Sequence, residues 1–393
     1  MPKIKLILIL LLIAFKTGAQ DFNNFEEVNN TSYSLYTLEK WDELIQYGKK
    51  ALENKQDFLY LRLRLGYAYI IKNNYSEAIV HYNKVLEFNR HNEIAHYYLW
   101  WSYTALNQEE FANQHIPFLN HEVKKSLEIN KLSLTSIGLE SSYKTTDVTT
   151  RKDAIFNRIF INYRLNWRIN MQQSVIFYQQ KIAEPKLTSV ENNSNININQ
   201  KEYHNALSLA LNKRLELKAS YHFIQTPFNN FNYTNHIGLV GVKLYSKYMN
   251  FQGSFLKGKL IDSKTSQFNL QLEYFPYGNT NLYGSTTISY RALDSSANTI
   301  AKQILGIKLN KQTWIEGNFT LGEANRYFEN DGLYTYNSID PNMIKWGCNA
   351  YYFSGKHIKF QIGYTMERRR LTLYNPQILF YQHSINGGIT WKF

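Results

Sequence analysis

From about Lys131 onward the chain alternates oily and polar residues in long runs. Leu215, Leu217, Ala219, Tyr221 and Phe223 share one parity, and Glu216, Lys218, Ser220 and His222 the other. The same holds for Phe268, Leu270, Leu272 and Tyr274, and for Ile358, Phe360, Ile362 and Tyr364. In the last run, Ile385, Ile389, Trp391 and Phe393 oppose Ser384, Asn386, Thr390 and Lys392. Successive side chains of a strand point to opposite faces, so each run predicts a strand with one oily and one polar face. Crossing a bilayer takes roughly 9–11 tilted strand residues, which these runs supply; strands of soluble sheets are nearer five or six. Charges on the polar parity would be costly in lipid, which assigns that face to the lumen of a closed barrel.

The pattern predicts about fourteen strands, an even number as expected of a bacterial outer-membrane barrel. Alternate connections are tight, as at Lys213-Arg214, Ser246-Lys247 and Gly355-Lys356. The intervening ones are longer, as from Ala183 to Gln200, Pro227 to Asn232, Ala324 to Pro341 and Leu371 to Gln377. Short turns belong on the periplasmic side and long loops outside. Parity is ambiguous around Gly238 to Val242, and the first strand is expected to shift register between Leu134 and Ile137.

Residues 24 to about 128 carry helical periodicity and an internal repeat. Leu65-Gly66, Tyr69, Ala78, Tyr82 and Val85 fit the tetratricopeptide pattern, and adding 34 takes Leu65 to Leu99, Tyr69 to Tyr103 and Ala78 to Ala112. The groove face of such repeats would carry Tyr60, Tyr67, Tyr97 and Trp101. These aromatics either pack between helices or present flat faces to a sugar or peptide. Ahead of them, Lys3 and Lys5, the apolar run Leu6 to Phe15 and Thr17-Gly18-Ala19 predict a secretory signal. The fold class expected is therefore α + β in separate domains: a signal peptide at 1–19, a short periplasmic tetratricopeptide solenoid over 20–130, and an antiparallel transmembrane barrel over 131–393.

Composition adds little to the fold but narrows the chemistry. The chain of 393 residues has a formal net charge of +13, with 31 Tyr and 23 Phe. In a secreted barrel that charge points to acidic envelope components, lipopolysaccharide among them, and not to nucleic acid. By parity, Arg158, Arg164, Lys218, Arg291, Lys308 and Lys359 line the lumen. They form either an internal ion-pair network or a conduit for an anionic or hydroxyl-rich polymer. Arg368-Arg369-Arg370, at an outer strand end, is either a phosphate grip or a solvated rim. Cys348 is the only cysteine, and its parity makes it a wall residue. Metal ligands at a recognisable spacing, a nucleophile elbow and a phosphate loop are all missing, so neither catalysis nor a cofactor is expected. His383 and Ser384 are adjacent in a strand and face opposite sides, so they cannot pair.

With these repeats and the ending Gly387-Gly388-Ile389-Thr390-Trp391-Lys392-Phe393, the chain resembles the YaiO-type outer-membrane β-barrel proteins with an amino-terminal repeat region. Its architecture is also similar to the poly-N-acetylglucosamine export porin, where periplasmic repeats precede a larger barrel. The family has no settled activity to carry over, and the chain is expected to be a non-enzymatic barrel that assists export or surface display of a polysaccharide. The repeats would recruit the polymer or a periplasmic protein, and the terminal strand would meet the barrel-assembly machinery. A closed structural or adhesin-like barrel and a lipid-acting barrel enzyme are the alternatives.

Overall fold

Small side chains let the first helices come together. Gly48 lies under Leu65 and Gly66 under Tyr82, so closely that a Cβ at either would sit 2.5 and 2.8 Å from the covering atoms. Around them Val28, Leu44, Ala51, Leu61, Leu65 and Ala68 form a fully buried core. The structure is a computed structural model and describes residues 24–127, 134–183, 195–228, 231–260, 263–293, 296–338, 340–371 and 378–393. The predicted signal at 1–19 and a strand start at Lys131 lie outside the described residues.

Seven α-helices precede the barrel among the described residues: α1 (Phe25–Thr37), α2 (Trp41–Glu53), α3 (Leu59–Ile71), α4 (Tyr75–Phe88), α5 (Glu93–Ala105), α6 (Glu109–Asn113) and α7 (His121–Ser126). Odd-numbered α1, α3 and α5 begin at residues 25, 59 and 93, and α2, α4 and α6 at 41, 75 and 109, in steps of 34. The corners repeat as well. Glu39, Asn73 and Asn107 each close a helix–helix turn at φ of 56°, 54° and 55°, a left-handed conformation that asparagine tolerates better than most residues. Asn24, Asn74 and Asn120 cap α1, α4 and α7 by accepting hydrogen bonds from backbone amides of the first turn.

Contacts divide the chain into two units, one ending at Ala95 and one running from His96 to Phe393. The second unit is built on a closed antiparallel barrel of fourteen strands. These are β1 (Leu134–Thr146), β2 (Arg151–Asn166), β3 (Ile169–Ala183), β4 (Asn195–Ala210), β5 (Leu215–Phe228), β6 (Phe231–Tyr245), β7 (Met249–Leu260), β8 (Ser263–Tyr274), β9 (Leu282–Leu293), β10 (Ser296–Lys308), β11 (Thr313–Ala324), β14 (Asn342–Ser354), β15 (Ile358–Leu371) and β16 (Ile378–Lys392). Two short strands, β12 (Tyr327–Glu329) and β13 (Tyr334–Tyr336), pair only with each other. β16 pairs with both β15 and β1, with Trp391 opposite Ile137, so the sheet has no free edge. The expected register shift in β1 falls between Leu134 and Ser136.

Side chains sort as the alternation requires. Leu270, Ile362 and Ile385 point outward at 57%, 64% and 63% exposure, on an apolar outer surface of the kind a bilayer covers. Arg158, Glu216, His222 and Gln267 on the opposite parity are buried inside. Cys348 is exposed on the outward face beside Trp346. No helix among the described residues is long and apolar enough to cross a membrane.

At the short-turn end, α5 and α6 are tied to the barrel. The Phe111 and Tyr245 rings meet at 4.6 Å, Ser208 donates to the Glu110 carboxylate at 2.9 Å, and Arg164 donates to Asn113 at 3.2 Å. The Thr280 hydroxyl reaches the Ala105 carbonyl at 3.4 Å.

Candidate functional site: the plugged lumen

The segment between β11 and β14, expected as an outer loop, instead folds into the lumen as the β12–β13 hairpin. Its turn explains the hairpin locally. Asp331 and Gly332 both have positive φ, 55° and 84°, and the Leu333 amide donates back to the Asn330 carbonyl at 3.1 Å. That is the backbone an Asp-Gly pair favours in a tight hairpin turn.

The hairpin is held by an apolar anchor and by charge. Phe328 is buried against Ile224, Ile237, Leu239, Leu256 and Leu260, all lumen-facing. The Gln267 side chain accepts from the Phe328 amide at 3.0 Å and donates to its carbonyl at 2.7 Å. Glu329 pairs with Lys302 at 2.6 Å and Lys345 at 2.9 Å. Asp331 takes Lys218 on one oxygen and Gln252 on the other, at 3.0 and 2.8 Å. Tyr334 donates to Glu140 at 3.0 Å, and Asp340 pairs with Arg151 at 2.8 Å, both ends of that pair being buried. Each of these charges has a partner, as burial demands.

Beside the hairpin a cavity of about 850 Å³ runs down the lumen. Tyr178, Tyr233, Tyr336 and Tyr351 line it, with Gln200, Asn318, Gln361 and Asn386 between them. A smaller space of about 250 Å³ lies between the hairpin and β7–β9. The larger cavity is rich in neutral donors and acceptors, because most of its charges are already paired.

The basic residues expected in the lumen are all on lumen-facing strand positions, but they divide into two groups. Arg158, Lys218 and Arg291 are engaged with the wall or hairpin: Arg158 with Glu140, Ser174 and Gln172, Lys218 with Asp331, and Arg291 with Asn325. Arg164, Lys308 and Lys359 sit toward the short-turn end, over the rings of Trp167, Trp314 and Tyr351 at 4.9, 4.5 and 5.6 Å. The tri-arginine run does not act as one cluster. Arg369 turns inward to Gln382 and the Asp340 carbonyl, while Arg370 pairs with Glu323.

Of the expected groove aromatics, Tyr60 is exposed. Tyr67 is boxed between Tyr36 and Trp41, each ring 5.6 Å away. Tyr97 contacts Tyr98 and lies 6.2 Å from the exposed Trp101. Sequence reasoning missed Phe328, Glu329, Tyr334 and Asp340, all within the expected loop. One signal pointed to them. The ambiguous parity of β6 arises because Ile237 and Leu239 are oily residues facing the lumen to receive Phe328, while Val240 and Val242 face out.

The barrel is similar in outline to several solved ones. The Pseudomonas putida toluene transporter TodX is 9% identical, with a TM-score of 0.46 over 66% of this chain and 89% of that one. A Pseudomonas aeruginosa FadL homologue is 9% identical, with a TM-score of 0.46 over 67% and 91%. A bacterial polysaccharide outer membrane secretin is 7% identical, with a TM-score of 0.40 over 67% and 100%. No protein-family model matches the chain, and no curated protein matches it in sequence.

Proposed function

We propose that the chain is a non-enzymatic outer-membrane barrel whose lumen carries a saccharide chain outward, with the β12–β13 hairpin as the part that yields. The repeats belong to the tetratricopeptide class on this reading and stand in the periplasm, where they recruit the polymer or a partner protein. The short-turn end, to which α5 and α6 are tied, is then the periplasmic end. The observation that carries the proposal is the cavity of about 850 Å³ beside the hairpin, lined by tyrosines and neutral amides. Tyrosine faces stack on sugar rings, and amides exchange hydrogen bonds with hydroxyls without holding them by charge.

The test is efflux of fluorescently labelled oligosaccharides from liposomes holding the protein. Loosening the hairpin should raise efflux of saccharides several-fold above that of the intact protein. Equal and negligible efflux from both would retire transport in favour of a closed structural barrel.

A further inference from the structure

Below the cavity, at the short-turn end of the lumen, aromatic rings and lysines lie side by side across six neighbouring strands. Trp314 on β11 and Phe353 on β14 meet edge to face at 5.0 Å, and the Trp314 indole donates to the Thr280 carbonyl at 3.3 Å. Lys308 on β10 stands 4.5 Å above the Trp314 ring, Lys359 on β15 lies 5.6 Å from Tyr351, and Lys392 on β16 lies 6.0 Å from Phe353. The rings are half-buried. On β9, Tyr283 lies flat over Gly306, where any Cβ would strike its ring, and donates to Glu316 at 2.9 Å. Tyr351 and Glu316 also line the cavity above, so the cluster is continuous with it.

Like Lys144, which lies 5.8 Å from the Tyr178 ring in the cavity above, the lysines of this cluster rest over rings. Elsewhere in the lumen, Arg151, Arg158, Lys218, Lys243, Lys302 and Lys345 each have a carboxylate within 4 Å. Among the described residues, Lys308, Lys359 and Lys392 have none and rest on ring faces instead. An ammonium over a ring can swing to a passing anion while the ring takes a sugar face.

We infer that this cluster is an entry site for an acidic saccharide, one bearing carboxylate or phosphate groups along its chain. The inference rests on the saccharide reading above and adds the charge. Tyr283, Trp314, Tyr351 and Phe353 supply the stacking faces, and the three lysines supply the anion contacts.

The experiment is calorimetric titration of the full-length protein in detergent with oligogalacturonate, and with maltohexaose as the neutral control. Oligogalacturonate should bind more tightly than maltohexaose, and its affinity should fall as salt is raised. The triple variant Lys308→Gln, Lys359→Gln, Lys392→Gln should weaken oligogalacturonate on the order of ten-fold or more, with maltohexaose unchanged. The triple Lys→Arg variant should retain most of the binding. Heat-modifiable migration on gels checks that each variant is assembled. Maltohexaose binding as tightly as oligogalacturonate would overturn the acidic assignment and leave the saccharide reading standing. So would oligogalacturonate binding that the glutamines do not change. Failure of both oligosaccharides to bind the assembled protein would overturn both.

Discussion

The Lys218 ammonium on the barrel wall lies 3.0 Å from the Asp331 carboxylate at the hairpin tip, joining residues 113 apart in sequence. Asp331→Ala leaves that lysine without its counter-charge and frees Gln252 as well. Removing one partner of a buried pair costs about 3–5 kcal/mol, and partial exposure of both side chains places this case at or below the low end. The cost falls on docking of the hairpin and not on the barrel ladder. Protease accessibility of residues 327–336 should therefore rise in Asp331→Ala while the barrel's melting temperature stays put. A lowered melting temperature with an unchanged hairpin would place the pair in the barrel's own stability.

Phe328 is the apolar counterpart. It is 1% exposed in a pocket from β5, β6 and β7. Phe328→Ala should cost about 3–5 kcal/mol of docking. Hydrogen exchange at the β12–β13 amides should quicken by two or more orders of magnitude on that account. Leu239→Ala, across the same contact, should do the same to a smaller degree. Unchanged exchange in both variants would show that charge alone holds the hairpin.

One pH response is set at His115, whose Nδ1 lies 2.9 Å from that of His96 in a buried contact. Burial, and then the neighbouring His96, pushes the His115 pKa down from 6.5 to about 3. The unfolded segment therefore binds a proton between about pH 6.5 and 3 that the folded one refuses. Stability is fully present above the unfolded value and is lost as pH falls toward the folded one. Each tenfold drop in proton affinity on folding corresponds to about 1.4 kcal/mol. Hydrogen exchange over residues 96–118 should quicken as pH drops from 7 to 4, after correction for the intrinsic rate. His115→Phe should flatten that response. Arg62 and His81 make the equivalent contact one repeat earlier, at 3.2 Å.

Removing Trp391 to Phe393 deletes the pairing of Trp391 with Ile137 on one side and Ile358 on the other. The barrel's seam opens there, so the shortened protein should fail to show heat-modifiable migration in outer-membrane fractions. Normal migration and yield would show that the rest of β16 suffices.

Much of the fold was legible in the sequence because period-two alternation sets an oily outer face against a polar inner one. Nearly every strand between Leu215 and Trp391 could be placed from residues such as Leu270, Ile362 and Ile385. The helices were legible from their 34-residue step, which the corner residues Glu39, Asn73 and Asn107 repeat. The hairpin was not. Residues 324–341 read as a loop because Asp331-Gly332 marks a turn wherever it occurs and says nothing of which way the loop folds. Direction came from long-range partners: Lys218, Gln252 and Gln267 for the tip and anchor, Arg151 for Asp340. Only the doubled oily parity of β6, at Ile237 and Leu239, hinted that something apolar would enter the lumen.

Whether the hairpin closes a passage is measured most directly by single-channel recording in planar bilayers. The comparison is between the intact protein and one in which residues 327–336 are replaced by a Gly-Ser linker. The intact protein should stay mostly closed with brief openings, and the linker variant should conduct steadily at a larger amplitude. A steady open pore in the intact protein, or a linker variant that remains closed, would contradict a gating hairpin.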